Sequence, residues 1–233
     1  MIYRHVGAAP ALRGDSIAAM PLPRGLVICS FIWIVACFAA TIGLSSPIQP
    51  TSGVYTPSVR AMLALLAVGA CLLWPIARLA YARGTWTPAR VALDMITIVV
   101  AFHAILWPLH LVTYWTAAQM MAIDLLLCGW IAATGAWIAL ATRADTRRMV
   151  WSTAWMAIVV AGVVLDAVGL QAPFPELAGP YAALLRLTPE RTDSTVLPAW
   201  SVAIWPWILA SGAWAGVLRT AKRLPRTPSP ANL

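Results

Sequence analysis

Charge is what this chain has least of: 10% of its 233 residues are Asp, Glu, Lys or Arg, and only eight are acidic. A water-soluble globule of this length needs far more polar surface to cover its core. With 61% hydrophobic residues and a mean hydropathy of +0.79, much of the chain has to be solvated by lipid. Hardly any stretch outside the apolar runs is long enough to form a soluble domain, which excludes a nucleotide hydrolase. The motifs that announce chemistry are missing too: there is no P-loop, G-x-G-x-x-G, H-E-x-x-H or G-x-S-x-G.

Cysteine and histidine are scarce. Cys29, Cys37, Cys71 and Cys128 all fall inside apolar runs without C-x-x-C spacing, so neither a zinc module nor a disulfide framework is expected. They read as small buried apolar residues. Of three histidines, His5 precedes the first apolar run, while His103 and His110 share one run. Seven residues separate that pair, about 10.5 Å along a helix, too far for both to ligate one iron. Haem would therefore need a ligand from another chain, or a different axial residue such as Met120 or Met121.

What is present is a set of six apolar runs, at 25–44, 61–82, 91–113, 118–141, 149–170 and 198–219. A bilayer crossing takes about 20 apolar residues, so the expected fold is all-α: a polytopic membrane protein with six transmembrane helices over 25–219. A basic tail (1–24) and a polar, proline-rich tail (220–233) flank it. The first run is longer than the apolar part of a signal peptide, usually about 7–15 residues, and is expected to be a retained anchor.

Arginine placement sets the expected orientation. With both termini cytoplasmic, thirteen of the sixteen basic residues stay inside, and only Arg60, Arg186 and Arg191 fall outside. That pattern suits a bacterial-type inner (plasma) membrane. The net charge of +8 then marks an inner rim that meets anionic lipid rather than nucleic acid.

The connections are uneven. Residues 45–60 read as an outer loop rich in Ser, Pro and Thr, and residues 114–117 as a tight turn that makes the third and fourth spans neighbours. In the last outer segment, residues 176–187 predict a short helix in the membrane interface, with Leu177, Tyr181, Leu184 and Leu185 near one side. Gly129-x-x-x-Ala133 and Gly212-x-x-x-Gly216 offer close helix contacts.

Tryptophan is abundant, at thirteen residues. Trp86, Trp115, Trp151 and Trp200 lie near span ends, as an aromatic belt requires. Trp74-Pro75, Trp107-Pro108 and Trp205-Pro206 lie inside spans, where each proline removes a helical hydrogen bond and favours a bend. The first two pairs also share a local similarity at an offset of 33 residues.

Ionisable side chains inside the spans are the functional pointers, because hydrocarbon tolerates them only when they are paired or hydrated. Asp94 lies one turn from Arg90 and reads as an i, i+4 pair. His110 and Asp166 are shallow. His103 is deep, and Asp124 is about 9 Å from the outer end of its span. Because the tight turn forces their helices together, a His103–Asp124 hydrogen bond is sterically open to them, with His103, Trp107 and His110 sharing one face.

The candidate site is therefore His103, His110, Asp124 and Trp107. It would serve a quinone headgroup, a proton path or a metal, or act as a polar clasp between helices. The expected function is a subunit of a larger membrane assembly, energy-transducing or redox, that contacts lipid or quinone and other transmembrane subunits. The alternatives are a small permease with a midplane polar site, and a membrane-embedded enzyme dependent on a metal or quinone.

Overall fold

The structure, a computed structural model, describes residues 23–43, 52–80, 87–142, 148–168, 179–188 and 199–223, and every element among them is helical. Helix α1 (Arg24–Phe38) runs on through a π turn (Ala39–Gly43), and α2 (Ser52–Val68) continues through a second π turn (Gly69–Leu73) into α3 (Trp74–Ala80). Then come α4 (Pro88–Leu109) with a 3-10 turn (His110–Val112), α5 (Ala117–Ala141), α6 (Arg148–Ala167), α7 (Gly179–Leu187) and α8 (Trp200–Arg223). Five segments are long and apolar enough to cross a membrane: Arg24–Gly43, Tyr55–Ala80, Pro88–Val112, Ala117–Ala141 and Trp200–Thr220. The apolar part of α6, Met149–Leu165, is shorter. The basic and polar tails lie outside the described residues, apart from their helical ends.

One boundary differs from the sequence expectation. The stretch expected to be a loop up to residue 60 is helical from Ser52. The buried stripe of that helix starts early, at Thr56 and Val59, and continues through Leu63 and Leu66 to Ala70, which is helical spacing. The short helix expected over 176–187 is described from Gly179 on, with Gly179 in a left-handed conformation (φ 81°). One side of it packs inward. Ala183, Leu184 and Leu187 are buried, and α7 packs among α2, α5 and α6. Arg60 ties it down by donating from Nη2 to the Leu185 carbonyl at 3.3 Å, a cation placed where the helix ends in unpaired carbonyls.

The core is α5. From Gly129 to Ala136 every residue is buried, and its largest interface is with α8. Trp207 Nε1 donates to the Leu125 carbonyl at 2.8 Å and Trp214 Nε1 to the Ala132 carbonyl at 3.1 Å, and each pair is 82 residues apart. Equal separation means that α5 and α8 run parallel, in a register that repeats every seven residues. Close approach is possible because Gly129 has no side chain. A Cβ there would meet Pro206 Cβ at 2.9 Å and Trp207 at 3.0 Å. Gly212 and Gly216, by contrast, have nothing within 4 Å of where a Cβ would be, so that pair makes no close contact among the described residues.

Indole donors recur as ties between helices. Trp33 reaches the Leu65 carbonyl (3.2 Å), Trp137 that of Trp151 (2.9 Å) and Trp155 that of Cys71 (2.9 Å). The last has a clear cause: Pro75 has no N–H to offer the carbonyl one turn back, that of Cys71, and Trp155 supplies one. Trp137 also stacks edge-on with Trp151 at 4.9 Å between ring centroids. Trp115, expected in the aromatic belt, is 2% exposed and belongs to the core. Its ring packs inward from a turn whose neighbours Tyr114 and Thr116 are exposed. The two Trp-Pro pairs that are similar in sequence also differ in setting, since Trp74 is buried behind a π turn and Trp107 is exposed ahead of a 3-10 turn.

Candidate functional site

The site is built on the α4–α5 hairpin, and the hairpin is set by its turn. Thr116 caps α5, its Oγ1 accepting from the Gln119 N–H at 3.2 Å while Gln119 Oε1 accepts from the Thr116 N–H at 2.8 Å. This reciprocal capping box satisfies two backbone donors that the helix start would leave open. With only Thr113 to Thr116 between the 3-10 turn and α5, the two helices must lie side by side.

One face of α4 is buried along Val91, Asp94, Ile98, Phe102, Leu106 and Leu109. Asp94 sits in that stripe and pairs with Arg78 of α3, not with Arg90 as the local spacing predicts. Arg78 Nη2 donates to Oδ1 at 2.8 Å, and Nε lies 2.8 Å from Oδ2. Arg90 is exposed, one step outside the stripe. One charge-assisted hydrogen bond and a second close ion-pair contact join the two side chains, and here the chain's own helices enclose them.

Deeper along α4, His103 meets Asp124 of α5. His103 Nε2 lies 3.1 Å from Asp124 Oδ2, with side chains 40% and 19% exposed. The other ring nitrogen, Nδ1, lies 2.9 Å from the Val99 carbonyl on its own helix. A carbonyl only accepts, so this contact assigns the hydrogen to Nδ1 and directs Nε2 at the carboxylate. Asp124 has a second neighbour that sequence reading passed over: Cys128 Sγ donates to Oδ1 at 3.4 Å. The signal was available, because residues 124 and 128 are four apart and so share a helix face. Ligand atoms of His103, Asp124 and Cys128 all lie within 4.8 Å of one another.

The remaining predicted site residues stand apart from this group. Trp107 is exposed, His110 opens the 3-10 turn and is half-buried, and neither belongs to the cluster. The side chain of Asp166 lies outside the described residues. Around the group the surface is apolar and open, with Val100 and Met121 exposed. A separate apolar cavity of about 460 Å³ lies between α1 and the α2–α4 region, lined by residues that include Trp33, Gly69, Leu73 and Phe102, with Arg24 and Arg78 also on its wall.

Chemically, the triad offers an imidazole nitrogen, a carboxylate and a thiol converging from two helices, open on one side. It can exchange a proton, donate to or accept from a polar headgroup, or hold a cation. No family model, curated protein or solved structure matches the chain, so the functional reading rests on this geometry.

Proposed function

We propose that the chain is a six-span subunit of a larger membrane assembly, embedded with both termini on the cytoplasmic side of a bacterial-type inner membrane, and that a transmembrane partner covers the His103–Asp124 face. A parallel pair supports six spans. If α5 and α8 both cross the bilayer in the same direction, the chain between them must return. Helix α6, 20 residues long, reaches about 30 Å at 1.5 Å per residue, the thickness of the hydrocarbon core. Six crossings put both termini on one side, and the arginine distribution makes that side the cytoplasm.

The observation that carries the assembly reading is the 40% exposure of His103 in its pair with Asp124. An acidic side chain near the centre of a bilayer costs about 2.5–3.5 kcal/mol. A polar bond between two membrane helices returns only about 0.6–2 kcal/mol. A clasp serving α4 and α5 alone therefore runs at a net loss while its open side faces acyl chains. A partner helix, or the polar head of a lipid-dissolved quinone, removes that loss. The apolar cavity beside α1 is suited to a lipid acyl chain.

A photo-crosslinking residue at Val100, beside the open pair, should trap a defined partner in intact membranes, whereas one at Ile28 on α1 should yield lipid adducts. His103→Leu with Asp124→Asn should abolish the Val100 product while leaving a folded, membrane-inserted chain. If Val100 gives only lipid adducts and the protein extracted in mild detergent runs alone and monodisperse, the assembly reading fails.

A further inference from the structure

We propose that His103, Asp124 and Cys128 form a binding site for one divalent transition-metal ion of the zinc class. Four observations converge. First, the three donor atoms come from two helices and lie within 4.8 Å of one another. The closest separations are 3.1 Å for His103 Nε2 to Asp124 Oδ2 and 3.4 Å for Cys128 Sγ to Asp124 Oδ1. Bonds of about 2.0–2.1 Å to nitrogen or oxygen and about 2.3 Å to sulfur place tetrahedral ligand atoms roughly 3.3–3.8 Å apart, so small rotamer adjustments close the triad around an ion.

Second, the imidazole is already fixed in the orientation a metal ligand needs. Nδ1 is held by the Val99 carbonyl at 2.9 Å, which leaves the Nε2 lone pair directed into the cluster; a backbone carbonyl on the far nitrogen is a usual outer partner of a ligating histidine. Third, the donor set selects the ion. A thiolate with an imidazole and one carboxylate suits zinc and its neighbours, whereas magnesium and calcium require oxygen shells.

Fourth, the charge balances. A divalent cation with one thiolate, one carboxylate and one neutral imidazole is neutral overall, the state an apolar surrounding favours. Binding displaces two protons, one from the Cys128 thiol and one shared between His103 and Asp124, so charge is conserved. The side exposure of His103 leaves a fourth position for water, a ligand or a partner's side chain, as in zinc sites that act on a bound molecule rather than only bracing a fold.

This inference goes beyond the assembly reading and does not depend on it, because the ion is read on the isolated chain. The test uses the full chain, purified in mild detergent with a histidine-free tag, stripped of metal and titrated with Co²⁺ and then Zn²⁺. One Co²⁺ per chain should bind with a near-ultraviolet thiolate-to-cobalt charge-transfer band, and Zn²⁺ should displace it and raise the melting temperature. Cys128→Ser should lose the band and Cys29→Ser should keep it. Loss of an outer hydrogen-bond partner weakens metal sites by about 10–100-fold, so His103→Gln and Asp124→Asn should each weaken Zn²⁺ binding more than about 100-fold. Helical circular dichroism and monodispersity separate these losses from misfolding. A wild-type chain that shows neither the band nor a Zn²⁺-dependent shift overturns the proposal, as does a band that survives Cys128→Ser. Metal binding without a crosslinked partner would leave this site standing and sink the assembly reading; a partner without metal would do the reverse.

Discussion

Helix α4 carries two acid–base pairs that the molecule treats in opposite ways. Asp94 at its beginning is gripped by Arg78 through both carboxylate oxygens, with side-chain exposures of 24% for the arginine and 4% for the aspartate. The Asp124–His103 pair farther along makes one contact, with side-chain exposures of 40% for the histidine and 19% for the aspartate. The first pair is closed by α3, whose arginine arrives across a short connection. The second stays partly open: α5 supplies the carboxylate, and the His103 side chain remains 40% exposed among the described residues. A buried pair in contact through both carboxylate oxygens holds helices in place, whereas an open pair of the same kind is a surface that can be occupied. The difference lies in what surrounds each pair.

Arg78→Leu should give the largest effect. It strands a buried carboxylate at a cost of about 3–5 kcal/mol, so the protein should lose its monodisperse peak or melt well below wild type in detergent. Adding Asp94→Leu should restore most of that stability, because replacing both members of a buried pair is often close to neutral. If the double variant is as damaged as the single one, the sealed pair does more than pair.

Asp124→Asn should cost much less, about 0.6–2 kcal/mol, the range of a polar contact between membrane helices. An effect as large as that of Arg78→Leu would erase the contrast between the two pairs. Trp207→Phe removes an indole donor from the Leu125 carbonyl and keeps most of the ring, so a loss of about 0.6 kcal/mol is expected, read as a small shift in the unfolding midpoint. Thiol labelling sharpens the same division without altering stability. A small lipid-soluble maleimide should modify exposed Cys29 and half-buried Cys128 before buried Cys37 and Cys71, with each site followed by peptide mass.

Helical character and the apolar spans were legible in the sequence, since both depend on composition and periodicity along short stretches. So was the His103–Asp124 contact, because a connection of so few residues leaves their helices nowhere else to go. The partner of Asp94 was not. Arg90 sits at the favourable local spacing, and only the packing of α3 against α4 shows that Arg78 reaches the carboxylate instead. The burial of Trp115 was hidden for a related reason: nearness to a span end is a sequence property, but the inward packing of the ring is a tertiary one. Cys128 was readable and went unread. Its four-residue step from Asp124 put it on the right face, while its apolar surroundings made it look inert. The early start of α2 was hidden by Pro57, a residue that suggests loop but here lies inside the helix, more than one turn from Ser52.

The paired indoles of α8 make that helix a ruler. Trp207 and Trp214 read off Leu125 and Ala132 at the same seven-residue step along each helix, and that step is independent of the length of chain that joins α5 to α8. One residue inserted between the two tryptophans would swing the second ring by about 100° around the helix axis and leave its mark unread. A later helix thus measures one laid down earlier in the chain.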